Sequence, residues 1–111
     1  MTMRPPPAHS QRVVALDYEI AQEQASALGR LGRALEAALA ALLDYDSGHR
    51  KPAAKRAQLV QAAGDALRCF IVQREACGLR DPRPVIRDYR VPAEVQNRMG
   101  IFTHRGRGTA P

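Results

Sequence analysis

Apolar positions recur along residues 14–42 in alternating steps of four and three: Val14, Tyr18, Ala21, Ala25, Leu28, Gly32, Leu35, Leu39 and Leu42. That rhythm draws one continuous stripe along an α-helix. A second stripe (Ile20, Ala27, Leu31, Ala34, Ala38, Ala41) runs beside it and widens the face enough for more than one neighbour. The pattern predicts one helix from about Val13 to Tyr45, about 45–50 Å long at 1.5 Å per residue. Asp17, Glu19 and Glu23 sit in its first turns, where the helix dipole favours negative charge. The stripe is graded: small residues (Ala21, Ala25, Gly29, Gly32) come first and leucines later. Each glycine costs a helix about 1 kcal/mol relative to alanine, so a close contact is expected at Gly29 and Gly32.

"DYDSGHRKP" (44–52) reads as a turn punctuated by Gly48 and Pro52. A second helix follows from about Ala53 to Cys77, with Val60, Ala63, Leu67, Phe70, Arg74 and Cys77 on its seam and Leu59, Ala66 and Ile71 beside it. A short loop makes it an antiparallel neighbour of the first. Folding back about the turn brings Phe70 and Ile71 to Leu28 and Gly29, and Arg74 to Ala21 and Ala25. Large residues then meet small ones, as a close-packed core needs.

"CGLRDP" (77–82) reads as stop, corner, start. Gly78 suits the left-handed position after a helix, with Leu79 next as its apolar contact. Asp81 and Pro82 are a cap and first-turn pair. A short third helix is expected over 82–89, and a fourth over 92–99, ending at Gly100. The Pro-rich residues 1–12 read as a disordered arm, residues 13–100 as a single helical domain, and 101–111 as a disordered basic tail.

The chain has 111 residues, enough for one domain with a modest core. Its net charge is +6. Residues 1–52 balance, so the excess lies toward the C-terminus. Fifteen arginines against two lysines, amid abundant Ala, Gly and Pro, read as codon bias. An acidic partner, nucleic acid included, is the competing reading, with Arg83, Arg87 and Arg90 as its contacts. A helix-turn-helix over 63–90 is disfavoured because Pro82 and Pro84 occupy the turn that would enter the groove. No segment has the apolar length of a membrane span or the apolar core of a signal peptide, so a cytoplasmic protein is expected.

Candidate chemistry is sparse. Cys69 and Cys77 lie eight residues apart on one helix, about 12 Å along its axis, too far for a disulfide. Cys77 sits at a helix C-terminus, where the dipole disfavours a thiolate. His9, His49 and His104 fall in the arm, the turn and the tail, without metal-ligand spacing. "LGRLGR" (28–33) lacks the preceding strand a phosphate-binding loop requires. No catalytic residue, cofactor or metal is expected. Arg74, on an apolar seam, needs a carboxylate; Asp17, Glu23 and Asp81 are the candidates for a structural ion pair.

"LDYEIAQEQASALGRLGRALEAAL" (16–39), "VQREACGLRD" (72–81) and "YRVPAEVQNRMG" (89–100) together resemble a family of small, uncharacterised bacterial helical proteins. The resemblance spans roughly residues 14–100 and implies a compact helical fold with no assigned chemistry. The expectation is therefore an all-α protein: a long antiparallel hairpin with two short C-terminal helices. Its broad first helix would pair with a symmetry mate in a homodimer through Leu28, Leu31, Leu35, Leu39 and Leu42. Its function is expected to be a non-enzymatic interaction or scaffold role through that face.

Overall fold

The structure, a computed structural model, describes residues 8–48 and 52–99, with side chains from residue 11 onward. Among the described residues it holds four helices and no strand: α1 (Ala8–Asp46), α2 (Ala53–Ala76), α3 (Arg83–Asp88) and α4 (Ala93–Met99). His49, His104, the Gly100 stop and the 101–111 tail lie outside the described residues, as does the side chain of His9.

α1 begins five residues earlier than the apolar stripe indicates. Ala8–Arg12 contains neither glycine nor proline, and the next helix breaker back along the sequence is Pro7. At the other end Ser47 N–H donates to Leu43 O (3.1 Å) and Gly48 N–H to Tyr45 O (3.1 Å). The Tyr45 hydroxyl donates to Pro52 O at 2.8 Å and ties the two ends of the turn together.

α2 runs between α1 and α4 and packs on both. One side of it carries the expected seam of Val60, Ala63, Leu67 and Phe70, all buried. Gly64 meets α4 so closely that a Cβ there would lie 3.0 Å from Arg98 Cβ. Leu35 and Leu42 from α1, Ile71 from α2, and Val85, Val91, Val95 and Met99 complete the core. α4 is held along α2 at its far end by a hydrogen bond from Arg68 to the Met99 carbonyl.

The α1–α2 register differs from the expected one by about a turn. The Phe70 ring lies against Gly32, at 3.4 Å from where a Cβ would be, and not against Gly29. Tyr89 joins the contact. Its ring stands edge-on to Phe70, with centroids 5.6 Å apart, and its hydroxyl reaches within 2.8 Å of the same Gly32 position. The close contact is therefore at Gly32. At Gly29 a Cβ would meet only the side chain of Arg33 on the same helix.

Both corners end in the same capping pattern. Leu79 N–H donates to Arg74 O and Gly78 N–H to Glu75 O, with Gly78 at φ 91°, as its sequence position suggested. Val91 N–H donates to Ile86 O and Arg90 N–H to Arg87 O, but there the left-handed residue is Arg90, at φ 54°. A side chain in that conformation costs roughly 1–2 kcal/mol, partly offset by the chain entropy glycine loses. Arg90→Gly is expected to stabilise the fold by about 0.5–1 kcal/mol, read by denaturant unfolding. A loss instead would mean that the Arg90 side chain makes a contact worth more than the backbone strain. Asp81 Oδ1 accepts the Arg83 backbone N–H at 3.0 Å, but the cap falls one residue later than expected, on Pro82, and α3 starts at Arg83.

Candidate functional site

Two features stand apart from the core. One is a polar clamp beside a cavity at the turn end of the hairpin; the other is the free end of α1.

Arg56, in the first turn of α2, binds two carboxylates at once. Its Nε and Nη2 donate to Asp46 at 2.8 and 2.9 Å, and its Nη1 and Nη2 to Glu94 at 2.8 and 2.7 Å. The planar guanidinium suits such paired contacts. One side chain thus joins the end of α1, the start of α2 and the start of α4. The hydrogen bond from Arg56 holds the Glu94 carboxyl below the usual range, with partial burial opposing. The two carboxylates hold Arg56 more firmly protonated than usual. Asp46 and Arg56 flank the turn, a visible local signal, but Glu94 lies 38 residues beyond Arg56 and no pattern in the sequence links them.

A carboxyl whose pKa is lower folded than unfolded stabilises the fold above its unfolded value and loses that contribution as pH falls through the folded value. For Glu94 the loss begins below about 4.5. The melting temperature is expected to fall on acidification through this range, and Glu94→Gln to flatten the fall while lowering stability at neutral pH. An unchanged pH profile in the variant would remove Glu94 from the clamp. Asp81, drawn down to about 2 mainly by its hydrogen bonds from Arg83, acts with the same sign at lower pH.

Beside the clamp lies an open cavity of about 630 Å³ between α1 and the α3–α4 corner. Leu39, Leu42 and Leu43 line one wall, Tyr89 and Pro92 the other, and Glu36, Asp46, Asp88 and Glu94 stand at its acidic edges with Arg90. Its lining includes no histidine, cysteine or serine. Among the described residues no group of three or more His, Cys, Asp or Glu is placed to hold a metal.

The residues singled out from the sequence fall elsewhere. Leu35 and Leu42 are buried in the chain's own core, and Leu28, Leu31 and Leu39 pack against it. Leu35 and Leu42 thus serve the chain's own core, while Leu28, Leu31 and Leu39 stay partly exposed beside it. The Arg74 ion pair is corrected. Arg74 Nη2 donates to the Asp81 backbone carbonyl at 3.0 Å, and its guanidinium lies 6.0 Å from the Phe70 ring centroid. The Asp81 carboxylate is engaged instead by Arg83 at 2.9 Å. Asp17 and Glu23 sit on the part of α1 beyond the body, and Glu23 approaches Arg30 on its own helix at 3.9 Å. Of the three arginines suggested for nucleic acid, Arg83 pairs with Asp81 and Arg87 with Asp88, leaving Arg90 at the cavity edge. Cys69 and Cys77 are both unbridged.

The free end of α1 is the second feature. Residues 11–23 are exposed throughout. They include Val13, Val14, Leu16, Tyr18 and Ile20, with exposures from 49% (Ile20) to 67% (Val14). This half of the helix runs past the end of α2, and the one-turn shift in register lengthens the overhang.

The chain matches the model of a family of unknown function, DUF6665, over residues 2–107. The chain belongs to DUF6665. The match reaches beyond the 14–100 span of the quoted motifs into both terminal segments. No curated protein and no solved structure matches this DUF6665 chain. No helix among its described residues is long and apolar enough to cross a membrane.

Proposed function

We propose that this protein is a non-enzymatic helical interaction module, in a bacterial cytoplasm, that works through the projecting N-terminal half of α1. The observation that carries this reading is the run of large apolar side chains over residues 13–20, half to two-thirds exposed. Soluble folds seldom leave so dense an apolar patch uncovered, and such patches mark association sites. A module of this kind needs no catalytic group; the clamp and the core serve to hold α1 out from the body. Two free cysteines suit a reducing compartment. A nucleic-acid role through Arg83 and Arg87 is less supported, because their charge is spent on neighbouring aspartates.

The test is the variant Tyr18→Glu, Ile20→Glu, examined by circular dichroism and by light scattering on a sizing column. Both side chains are exposed, so folding stability is expected to stay within about 0.5 kcal/mol of the parent, while the assembly formed by the parent is lost. A variant that keeps the parent's assembly contradicts the reading. Absorbance at 260 nm in the same run reports bound nucleic acid, since three tyrosines and no tryptophan give the chain little absorbance of its own.

A further inference from the structure

The sizes of the residues along the projecting half of α1 indicate what covers it. Val14, Tyr18, Ala21 and Ala25 are spaced 4-3-4, and they run large, large, small, small. The spacing reads the same in both directions. We infer that the occupant is a second copy of the same half-helix, packed antiparallel about a two-fold axis that passes between Glu19 and Ile20. This rests on the reading of the free end as an interaction surface and adds the partner and the geometry.

The axis maps Val14 onto Ala25 of the second copy and Tyr18 onto Ala21. Each bulky side chain then faces an alanine, and symmetry repeats both contacts. Each of the four levels pairs a larger side chain with an alanine, which lets two helices keep a separation within the 8–10 Å of ordinary helix pairs. Parallel pairing would stack Tyr18 on Tyr18 and Ala25 on Ala25, wide at one end and hollow at the other.

The charges agree with the antiparallel arrangement. Asp17 borders the seam and, after the two-fold operation, lies beside Gln24 of the second copy, so no like charges oppose. Arg12, Glu19, Glu23 and Arg30 are spaced 7-4-7 and fall on the far side of the helix, where Arg30 and Glu23 approach to 3.9 Å. The register also brings the end of the second copy's α2 level with Val13, while Leu16, seven residues before Glu23, stays on the far side. Leu79, 46% exposed at that end, is then no longer an isolated apolar side chain. The interface is isologous, as most homodimers are.

Sedimentation of the parent and Tyr18→Glu, with cysteine pairing in a Cys69→Ser, Cys77→Ser background, tests the inference. A dimeric parent is expected. Mixed Val14→Cys and Ala25→Cys chains are expected to oxidise to the mixed disulfide in preference to either like pair. Tyr18→Glu is expected to weaken the dimer about 30-fold or more, as loss of a central aromatic anchor does. A parent that stays monomeric overturns the second copy as occupant and leaves the interaction surface standing. A predominant Val14→Cys like pair overturns the antiparallel geometry alone. A dimer indifferent to Tyr18→Glu overturns this inference and the proposed surface together.

Discussion

Replacing Leu35 with alanine is expected to destabilise the fold by about 2–5 kcal/mol, the usual cost of emptying a well-packed leucine site. Leu35 has no exposed surface in the chain on its own, held between α1's neighbours on α2 and the C-terminal helices. Denaturant unfolding should be measured in a Tyr18→Glu background, so that association does not add to the stability of either protein. The same leucine stands on the stripe that, read from sequence, would meet a second chain. The two placements differ in outcome. A core leucine lowers stability at every protein concentration, whereas an interface leucine lowers it only where the parent is associated. A loss below about 1 kcal/mol would be too small for a buried leucine and would return Leu35 to the interface.

The second large effect is expected at Gly32. Alanine there should gain about 1 kcal/mol of helix propensity, but its methyl would lie 2.8 Å from the Tyr89 hydroxyl and 3.4 Å from the Phe70 ring. Overpacking of this kind costs about 1–3 kcal/mol. Tyr89 is held edge-on against Phe70, so its tip cannot simply swing aside. The expected net effect of Gly32→Ala is a loss of up to about 2 kcal/mol. Tyr89→Phe removes the obstructing oxygen, and the double variant should recover at least half of the loss, a coupling that a double-mutant cycle reads directly. Gly29→Ala is the control. Its methyl would meet only the mobile tip of Arg33 at 3.3 Å, and alanine is expected to be neutral or stabilising there. Equal losses at both glycines would place the close approach elsewhere.

What the sequence made legible was local. The α2 seam of Val60, Ala63, Leu67 and Phe70 and the Gly78 stop depend on neighbouring residues and stand where they were expected, while Leu79 is 46% exposed and the cap of α3 falls on Pro82. Distant relations were not legible. The hairpin register turns on how tightly 44–52 closes, and one turn of difference separates Phe70 at Gly29 from Phe70 at Gly32. That turn also lengthens the part of α1 left uncovered, most of which follows from α1 having 39 residues and α2 only 24. An apolar stripe records that its residues avoid water but not which neighbour covers them, so Leu28–Leu42 and Val14–Ala25 looked alike although one segment is core and the other free surface. The three-way contact of Arg56 with Asp46 and Glu94 joins groups far apart in the chain. Arg90 occupies a backbone position that glycine usually fills, so the corner at 89–91 carried no glycine to mark it.

The most direct test of the free end as the working surface is hydrogen exchange followed along α1 as protein concentration rises. Burial by a second copy should slow exchange over residues 14–25 by about tenfold or more once the dimer is populated, because opening then requires dissociation. Amides of the α2 core, residues 60–71, should change far less. Fast, concentration-independent exchange over 14–25 in a sample that sediments as a dimer would contradict the account and place the interface on another part of the molecule.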